Sequence, residues 1–215
     1  MNLTPVKSPM KSQISWIGFR GMSGSRGPEL PAFDFGHLFG RNGPVEVEIG
    51  SGKGKFIIAR AEQSPDVDFL AVDWSGKWLG VGEDRAGKRK LANLLFLRLE
   101  AQGVVRRIPQ ESVNVFHIYF PDPWPKKRHH KRRLLNADFF MLLREKLVPG
   151  GLVEIATDHG EYFEEIKAAA DAVGKFWTAV RYSLNLRLHQ EALKTNYEIK
   201  YECQNKSRHY LELKK

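Results

Sequence analysis

The chain has 215 residues, 42% of them hydrophobic, which suits one domain with a real core and excludes a wholly disordered chain. A single cysteine, Cys203, excludes an internal disulfide framework and a zinc site built on several thiolates. The net charge of +9 lies in two places: residues 1–44 hold 5 basic and 2 acidic residues, residues 126–133 hold 6 and none, and the intervening and following stretches balance. No apolar run reaches the ~20 residues of a membrane span. No apolar stretch follows the first lysines as a secretory signal requires, so a reducing cytoplasm is the expected setting.

The chain opens with an irregular leader, rich in Gly, Ser and Pro, that runs to about Pro44. Its aromatics (Trp16, Phe19, Phe33, Phe35, Phe39) follow no period, and it is expected to order only when something binds. Val45–Ile49 alternates as a strand and ends in Gly50-Ser51-Gly52-Lys53-Gly54, after which Lys55 to about Gln63 reads as a helix. Phe69–Val72 is an apolar strand ending at Asp73. Residues 76–90 read as a helix weakened by four glycines, and Leu94–Leu99 as a third apolar strand ending at Glu100.

Val113–Phe120 reads as a buried central strand, stopped by Pro121-Asp122-Pro123-Trp124-Pro125 because proline cannot continue a ladder. Residues 134–147 carry a helical apolar stripe (Leu135, Phe139, Leu142, Leu143), closed by Pro149-Gly150-Gly151. Leu152–Ala156 is the next strand, ending at Thr157-Asp158; residues 160–173 form a helix, and strands follow near 176–183 and 208–213. This alternation predicts an α/β fold with a mostly parallel central sheet and helices on both faces. Ligands of such sheets bind beyond the carboxyl ends of the strands, where Glu48, Asp73, Glu100, Asp122 and Asp158 collect.

The glycine turn fits neither common phosphate motif. The nucleotide P-loop would need glycine at Ile49 and a hydroxyl at Phe56, and the dinucleotide fingerprint would need glycine at Lys55. A nucleoside site without a pyrophosphate remains. Asp73 suits ribose hydroxyls, Glu100 an adenine amino group, and an acidic rim suits a positively charged sulfonium. S-adenosylmethionine meets all three conditions; a plain tight turn with surface acids is the alternative.

The segment Phe120–Leu134 joins a carboxylate on a proline-stiffened turn to a run of Lys, Arg and His. Rigid placement is what a reaction site needs, and the basic run suits phosphates. The plainer alternative is a proline corner followed by a solvated loop.

This segment, with Glu48–Gly54, Ala156-Thr157-Asp158-His159 and Thr195-Asn196-Tyr197-Glu198, resembles the bacterial tRNA (guanine(46)-N7)-methyltransferases. The likeness runs from about Leu38 to the C-terminus, dividing the chain into a leader, 1–37, and a methyltransferase domain, 38–215. It implies a Rossmann-like S-adenosylmethionine-dependent fold. It implies cofactor contacts at Glu48, Gly50, Gly52, Asp73, Glu100 and Asp122, with Asp122 also the catalytic residue. It implies substrate contacts at Lys126, Asp158, Thr195, Asn196, Tyr197 and Glu198, and RNA contacts at Arg128, His129, His130, Lys131, Arg132 and Arg133. Asp73 replaces the family's usual Glu, and Glu100-Ala101 its usual Asp-Ala, so each carboxylate changes reach by one methylene.

The partner implied is tRNA, with no membrane and no metal, since adjacent histidines such as His129 and His130 point apart and do not chelate one ion unaided. Monomer and homodimer stay open. His117, inside an apolar strand, is expected to be a satisfied core residue. A methyltransferase of small molecules or proteins would leave the basic block unexplained, and a non-catalytic RNA binder would not need Glu48, Asp122 and the glycine turn.

Overall fold

The computed structural model describes residues 32–188 and 193–215, so residues 1–31 of the expected leader lie outside the described residues. The part of that leader that is described is not irregular throughout. Phe35–Phe39 forms a short helix, α1, capped by Asp34 Oδ1 accepting from the His37 N–H at 2.9 Å. Phe33 and Phe35 pack on the main core, and the Phe33 N–H donates to the Arg107 carbonyl.

The elements then run β1 (Val45–Ile49), α2 (Lys55–Gln63), β2 (Asp68–Asp73), α3 (Gly76–Lys88), β3 (Leu94–Arg98), α4 (Ala101–Arg107) and β4 (Val113–Tyr119). A 3-10 turn (Lys127–Arg132) leads to α5 (Ala137–Lys146), β5 (Leu147–Thr157), α6 (Gly160–Ala172), β6 (Ala179–Leu184), α7 (Asn196–Cys203) and β7 (His209–Lys214). The seven strands lie in the order β3-β2-β1-β4-β5-β7-β6. The first five are mutually parallel, and β7 runs antiparallel to both its neighbours. The order reverses between β1 and β4, which opens a crevice at their carboxyl ends.

Both faces of the sheet are covered. On β2, Leu70 and Val72 face the cluster containing α4, α5 and α6, while Phe69 and Ala71 face α2 and α3. The alternating Val45–Ile49 strand is buried at every position, polar ones included. Glu46 and Glu48 point into the α2 side, so their charge must be answered inside the protein.

Three segments differ from the expectation. The helix predicted over 134–147 starts only after its cap, where Asn136 Oδ1 accepts from the Phe139 N–H. Pro149-Gly150-Gly151 does not end that helix but lies within β5, opposite a register shift between Val113 and Val115. There Gly150 takes φ +79, its N–H donates to the Lys215 carbonyl, and Lys215 N–H donates back to Gly151; the glycines serve a kink in a strand. Helices α4 and α7 are additions, each capped by an acid or hydroxyl that the sequence presents as a ligand contact. Among the described residues no helix is long and apolar enough to cross a membrane.

Candidate active site

The crevice at the strand ends is a cleft of about 800 Å³. Its walls bring together Glu48, Gly50, Gly52, Asp73, Glu100, Asp122, Arg132, Thr195, Asn196 and Tyr197, ten positions that the sequence singles out along 150 residues of chain. Lys126, Arg128, His129, His130, Lys131, Arg133, Asp158 and Glu198 are not among the lining residues.

The glycine turn is built by its own backbone. The Gly50 and Ser51 N–H groups donate to the Val72 carbonyl at 2.8 and 3.0 Å, tying the turn to β2. Gly50 and Gly52 take φ +82 and +55, which side chains resist, and a Cβ on either would project into open space. Asp73 finishes the construction: its carboxylate accepts from the Gly52 N–H at 2.8 Å and the Ser75 N–H at 2.7 Å. Glu100 likewise accepts from the Gln102 and Gly103 N–H groups and caps α4. Both acids therefore shape the cleft as well as line it.

Glu48 is different. It lies at the cleft floor, 5% exposed, and its Oε2 has no hydrogen-bond partner. Burial pushes its carboxyl up to about 8; the charges of His117 and Arg187 and a backbone hydrogen bond from Ile57 resist this, and Asp73 adds to it. The Ser51 hydroxyl in the same wall is also buried and unpartnered. A buried carboxyl with one oxygen unpartnered and no ion pair of its own fits the cationic end of a ligand. S-adenosylmethionine carries such an end, so the residues present fit it.

Asp122 stands across the cleft on the Pro121–Pro125 turn. The chain leaves the sheet at Phe120 (φ +53) and turns again at Trp124 (φ +44). Asp122 is exposed and makes no hydrogen bond or ion pair to another described residue, so its carboxylate is free for a ligand.

The basic block coils into the 3-10 turn and divides by role. Arg132 stacks its guanidinium 4.9 Å from the Trp124 ring at the cleft mouth, and His129 meets the same ring edge-on. Lys126, Lys127, Arg128 and Lys131 are exposed. Arg133, expected to face RNA, is instead buried: Nε donates to the Pro123 carbonyl at 2.8 Å, Nη1 pairs with Glu165 at 2.6 Å, and the guanidinium covers Tyr162. It anchors the turn to α6. His130 lies beside Glu165 and Glu161 of the same helix.

The Thr195–Glu198 stretch also divides. Thr195 Oγ1 accepts from the Glu198 N–H at 3.1 Å and Glu198 Oε2 accepts from the Thr195 N–H at 2.8 Å, a capping box that starts α7. Thr195, Asn196 and Tyr197 reach the cleft, but Glu198 is 1% exposed and faces the core. Asp158 directly follows β5 yet is paired with Lys206 and Tyr201 and does not line the cleft.

Beneath the cleft runs a buried polar chain. His117 Nε2 lies 3.0 Å from Glu46 and Nδ1 3.1 Å from Glu154; burial opposes its charge, but donating hydrogen bonds to the two glutamates pushes it up to about 9. It is the satisfied core residue that its strand position predicts. Arg60 forks onto Glu46 from α2, and Tyr119 donates to Glu154 at 2.6 Å. Sequence reasoning missed Arg187, which joins this chain to Glu198, and the exposed cleft residues Trp74 and Trp78. A tryptophan directly after the strand-end Asp73 was the available signal for Trp74; Arg187 sits in an irregular stretch with none.

Comparison with known proteins agrees with this geometry. Residues 42–211 match the model of the Methyltransf_4 methyltransferase family. The tRNA (guanine-N(7)-)-methyltransferase of Nitrosomonas eutropha is 44% identical over 130 residues, 60% of this chain and 58% of that protein. The protein of the same name from Nitrosomonas europaea is 40% identical over 152 residues, 70% and 68% of the two chains. The chain thus spans about three fifths to two thirds of the length of these relatives. The 16S rRNA methyltransferase KamB shares the fold, with a TM-score of 0.58 and 18% identity over 89% of this chain and 96% of its own. A Rossmann-like sheet, a glycine turn tied to the next strand and a matching family model over most of the chain lead to one conclusion: this protein belongs to the Methyltransf_4 methyltransferases, the family it shares with the tRNA (guanine-N(7)-)-methyltransferases.

Proposed function

We propose that this protein transfers the methyl group of S-adenosylmethionine to N7 of a guanine in tRNA, at guanine 46 of the variable loop, giving 7-methylguanosine and S-adenosylhomocysteine. One observation carries the reading. A single cleft has an unanswered buried carboxyl, Glu48, at its floor, a free carboxylate, Asp122, on its wall, and the basic turn at its mouth. The relatives' names support tRNA as the substrate, and a tRNA substrate favours a cytoplasmic setting.

When bound, S-adenosylmethionine supplies a methyl group on a positively charged sulfur. Neutral guanine N7 has a lone pair and no proton to lose, so the chain need not provide a strong base. Asp122 instead accepts hydrogen bonds from the N1–H and N2–H₂ edge of the base and stabilises the positive charge that grows on the purine. Glu48, ionised once a cation stands beside it, would hold the cofactor's charged end. Asp73 keeps the glycine turn in the shape that admits it. Tyr197, 52% exposed on the cleft wall, offers a ring face to the base. A guanine in folded tRNA must leave its stack to reach Asp122. Arg132 at the mouth and the exposed Lys126, Arg128 and Lys131 meet the backbone phosphates around it.

The test is to incubate the protein with methyl-labelled S-adenosylmethionine and unmodified tRNA, digest the RNA and separate the nucleosides. Label in 7-methylguanosine is the expected result; unlabelled RNA beside an active control enzyme defeats the proposal, and label from a tRNA lacking guanine 46 defeats the position.

A further inference from the structure

Arg187 belongs to no motif and does not line the cleft, yet it joins residues on both sides of one wall of it. Its Nε and Nη2 donate to the two Glu198 oxygens at 2.7 and 2.8 Å, a complete fork. Its guanidinium lies 4.6 Å from the Tyr119 ring centre and 5.4 Å from that of Phe56. Glu198 passes the constraint on through Oε2 to the Thr195 N–H, and its Oε1 also accepts from the Tyr210 hydroxyl at 3.0 Å. Tyr119 is three residues before Asp122 in the chain and hydrogen-bonds Glu154 in the sheet interior.

We propose that Arg187 is a positioning residue for methyl transfer: forked onto Glu198 and stacked on Tyr119, it fixes the Thr195–Tyr197 wall against the strand that carries Asp122. The proposal rests on the cleft being the methyl-transfer site. Stability alone gives a weak reason for the arrangement. Burying an ion pair costs much of what the pair returns, and apolar residues of the same size commonly serve as well. What an apolar contact lacks is direction. A planar fork on both carboxylate oxygens sets the angle and distance between two segments, and lysine cannot reproduce it. Burial works against both charges, but the fork holds Glu198 below the usual carboxylate range and Arg187 above its own, so both stay ionised and the clamp stays closed at neutral pH. The ring contact between Phe120 and Tyr197, 5.6 Å between centroids, is a second tie across the same gap, so Arg187 governs alignment rather than attachment.

Two variants separate positioning from bulk stability. Arg187→Lys keeps the charge and loses the fork. Arg187→Met combined with Glu198→Gln removes both charges, so that no orphaned ion is left to unfold the protein. Single-turnover methylation at saturating tRNA and cofactor is measured with each, together with melting temperature and cofactor affinity. The rate is expected to fall about 10- to 100-fold in both, as a wall displaced by about 1 Å would cause, with the cofactor Kd within about twofold of wild type. The double variant is expected to melt near the wild-type temperature and remain slow. A wild-type rate in Arg187→Lys, or a double variant that recovers rate together with stability, overturns the proposal. So does a loss of cofactor affinity that accounts for the lost rate. A wild-type protein that labels no tRNA would instead overturn the proposed reaction, so the two failures are distinct.

Discussion

Glu48→Gln tests the electrostatics at the floor of the cleft. In the free protein Glu48 is buried and its Oε2 is unpartnered, which raises its carboxyl from 4.5 to about 8. The folded state therefore holds a proton that the unfolded chain releases at lower pH. The sign follows from that difference: the contribution of Glu48 to stability is fully present below pH 4.5 and is lost as pH rises to about 8. Each pH unit in that interval costs about 1.4 kcal/mol, and the whole interval about 5 kcal/mol. Glutamine keeps the shape and does not titrate. The stability difference between Glu48→Gln and wild type should grow in favour of the variant from pH 5 to pH 8 and then level off, read by urea unfolding at each pH. His117, pushed up to about 9, is present in both proteins, and because its charge acts on Glu48 the difference also carries the coupling of the two groups. The same variant should lose cofactor affinity, because it can no longer ionise against a cation. Wild type should release close to one proton on binding S-adenosylmethionine at pH 6.5, seen as a buffer-dependent heat, while Glu48→Gln releases fewer. A stability difference that does not change with pH refutes the reasoning.

Asp122→Asn removes the charge while keeping the shape, so turnover should fall about 10²- to 10³-fold with tRNA affinity retained; wild-type turnover would remove Asp122 from the reaction. Arg133→Met should lower the melting temperature, because it deprives the Pro123 carbonyl and Glu165 of their partner, and should leave the salt dependence of tRNA binding unchanged. Neutralising Arg128 or Lys131 should do the reverse, reducing the slope of log affinity against log salt by a little under about one for each phosphate no longer neutralised. A reduced slope in Arg133→Met would return that residue to the RNA surface. Gly82→Ala places a Cβ 2.5 Å from the Phe96 ring and should cost about 1–3 kcal/mol in urea unfolding, partly recovered by Phe96→Leu; unchanged stability would refute the packing.

The legibility of this chain follows the kind of force at work. Strands β1 to β5 and helices α2, α3, α5 and α6 are readable because apolar periodicity both signals and causes their burial. The ends of β1 to β4 carry polar groups to one edge, so the cleft can be placed before its walls are known. Pro149-Gly150-Gly151 misleads because the same residues that end a helix also kink a strand, and the deciding partner, Lys215, is 64 residues further along. Glu100 and Thr195 suggest ligand contacts because a capping side chain and a binding side chain look alike in sequence. The Thr195-x-x-Glu198 spacing is itself a helix-start signature. The sequence places Arg133 and Glu198 in the right motifs but on the wrong side of the surface, since burial depends on contacts with α6 and Arg187 that no local pattern records.

Charge shows the same sorting, with a functional consequence. Residues 45–125 hold 11 basic and 11 acidic residues, and along the sequence they look neutral. Folding does not keep them neutral at the surface. Glu46, Glu48 and Asp68 are buried, whereas none of the 11 basic residues is. Glu46 and Asp68 are paired with Arg60 and Arg41, but Glu48 has no ion pair and its Oε2 is left unpartnered at the cleft floor. At the mouth, Lys53 lies 4.5 Å from the exposed Trp78 ring, and Arg132 stacks on Trp124. The cleft therefore combines a protonatable buried carboxyl, Glu48, with cationic side chains at Lys53 and Arg132 and the exposed acids Glu100 and Asp122. On the proposed reaction, Glu48 would meet the cofactor's cationic end, and Arg132 the phosphates of an RNA lying across the cleft. RNA seated there would cover a cofactor already bound beneath it. Cofactor should accordingly bind free enzyme readily and exchange slowly once tRNA is in place, and cofactor exchange unaffected by saturating tRNA would refute that arrangement.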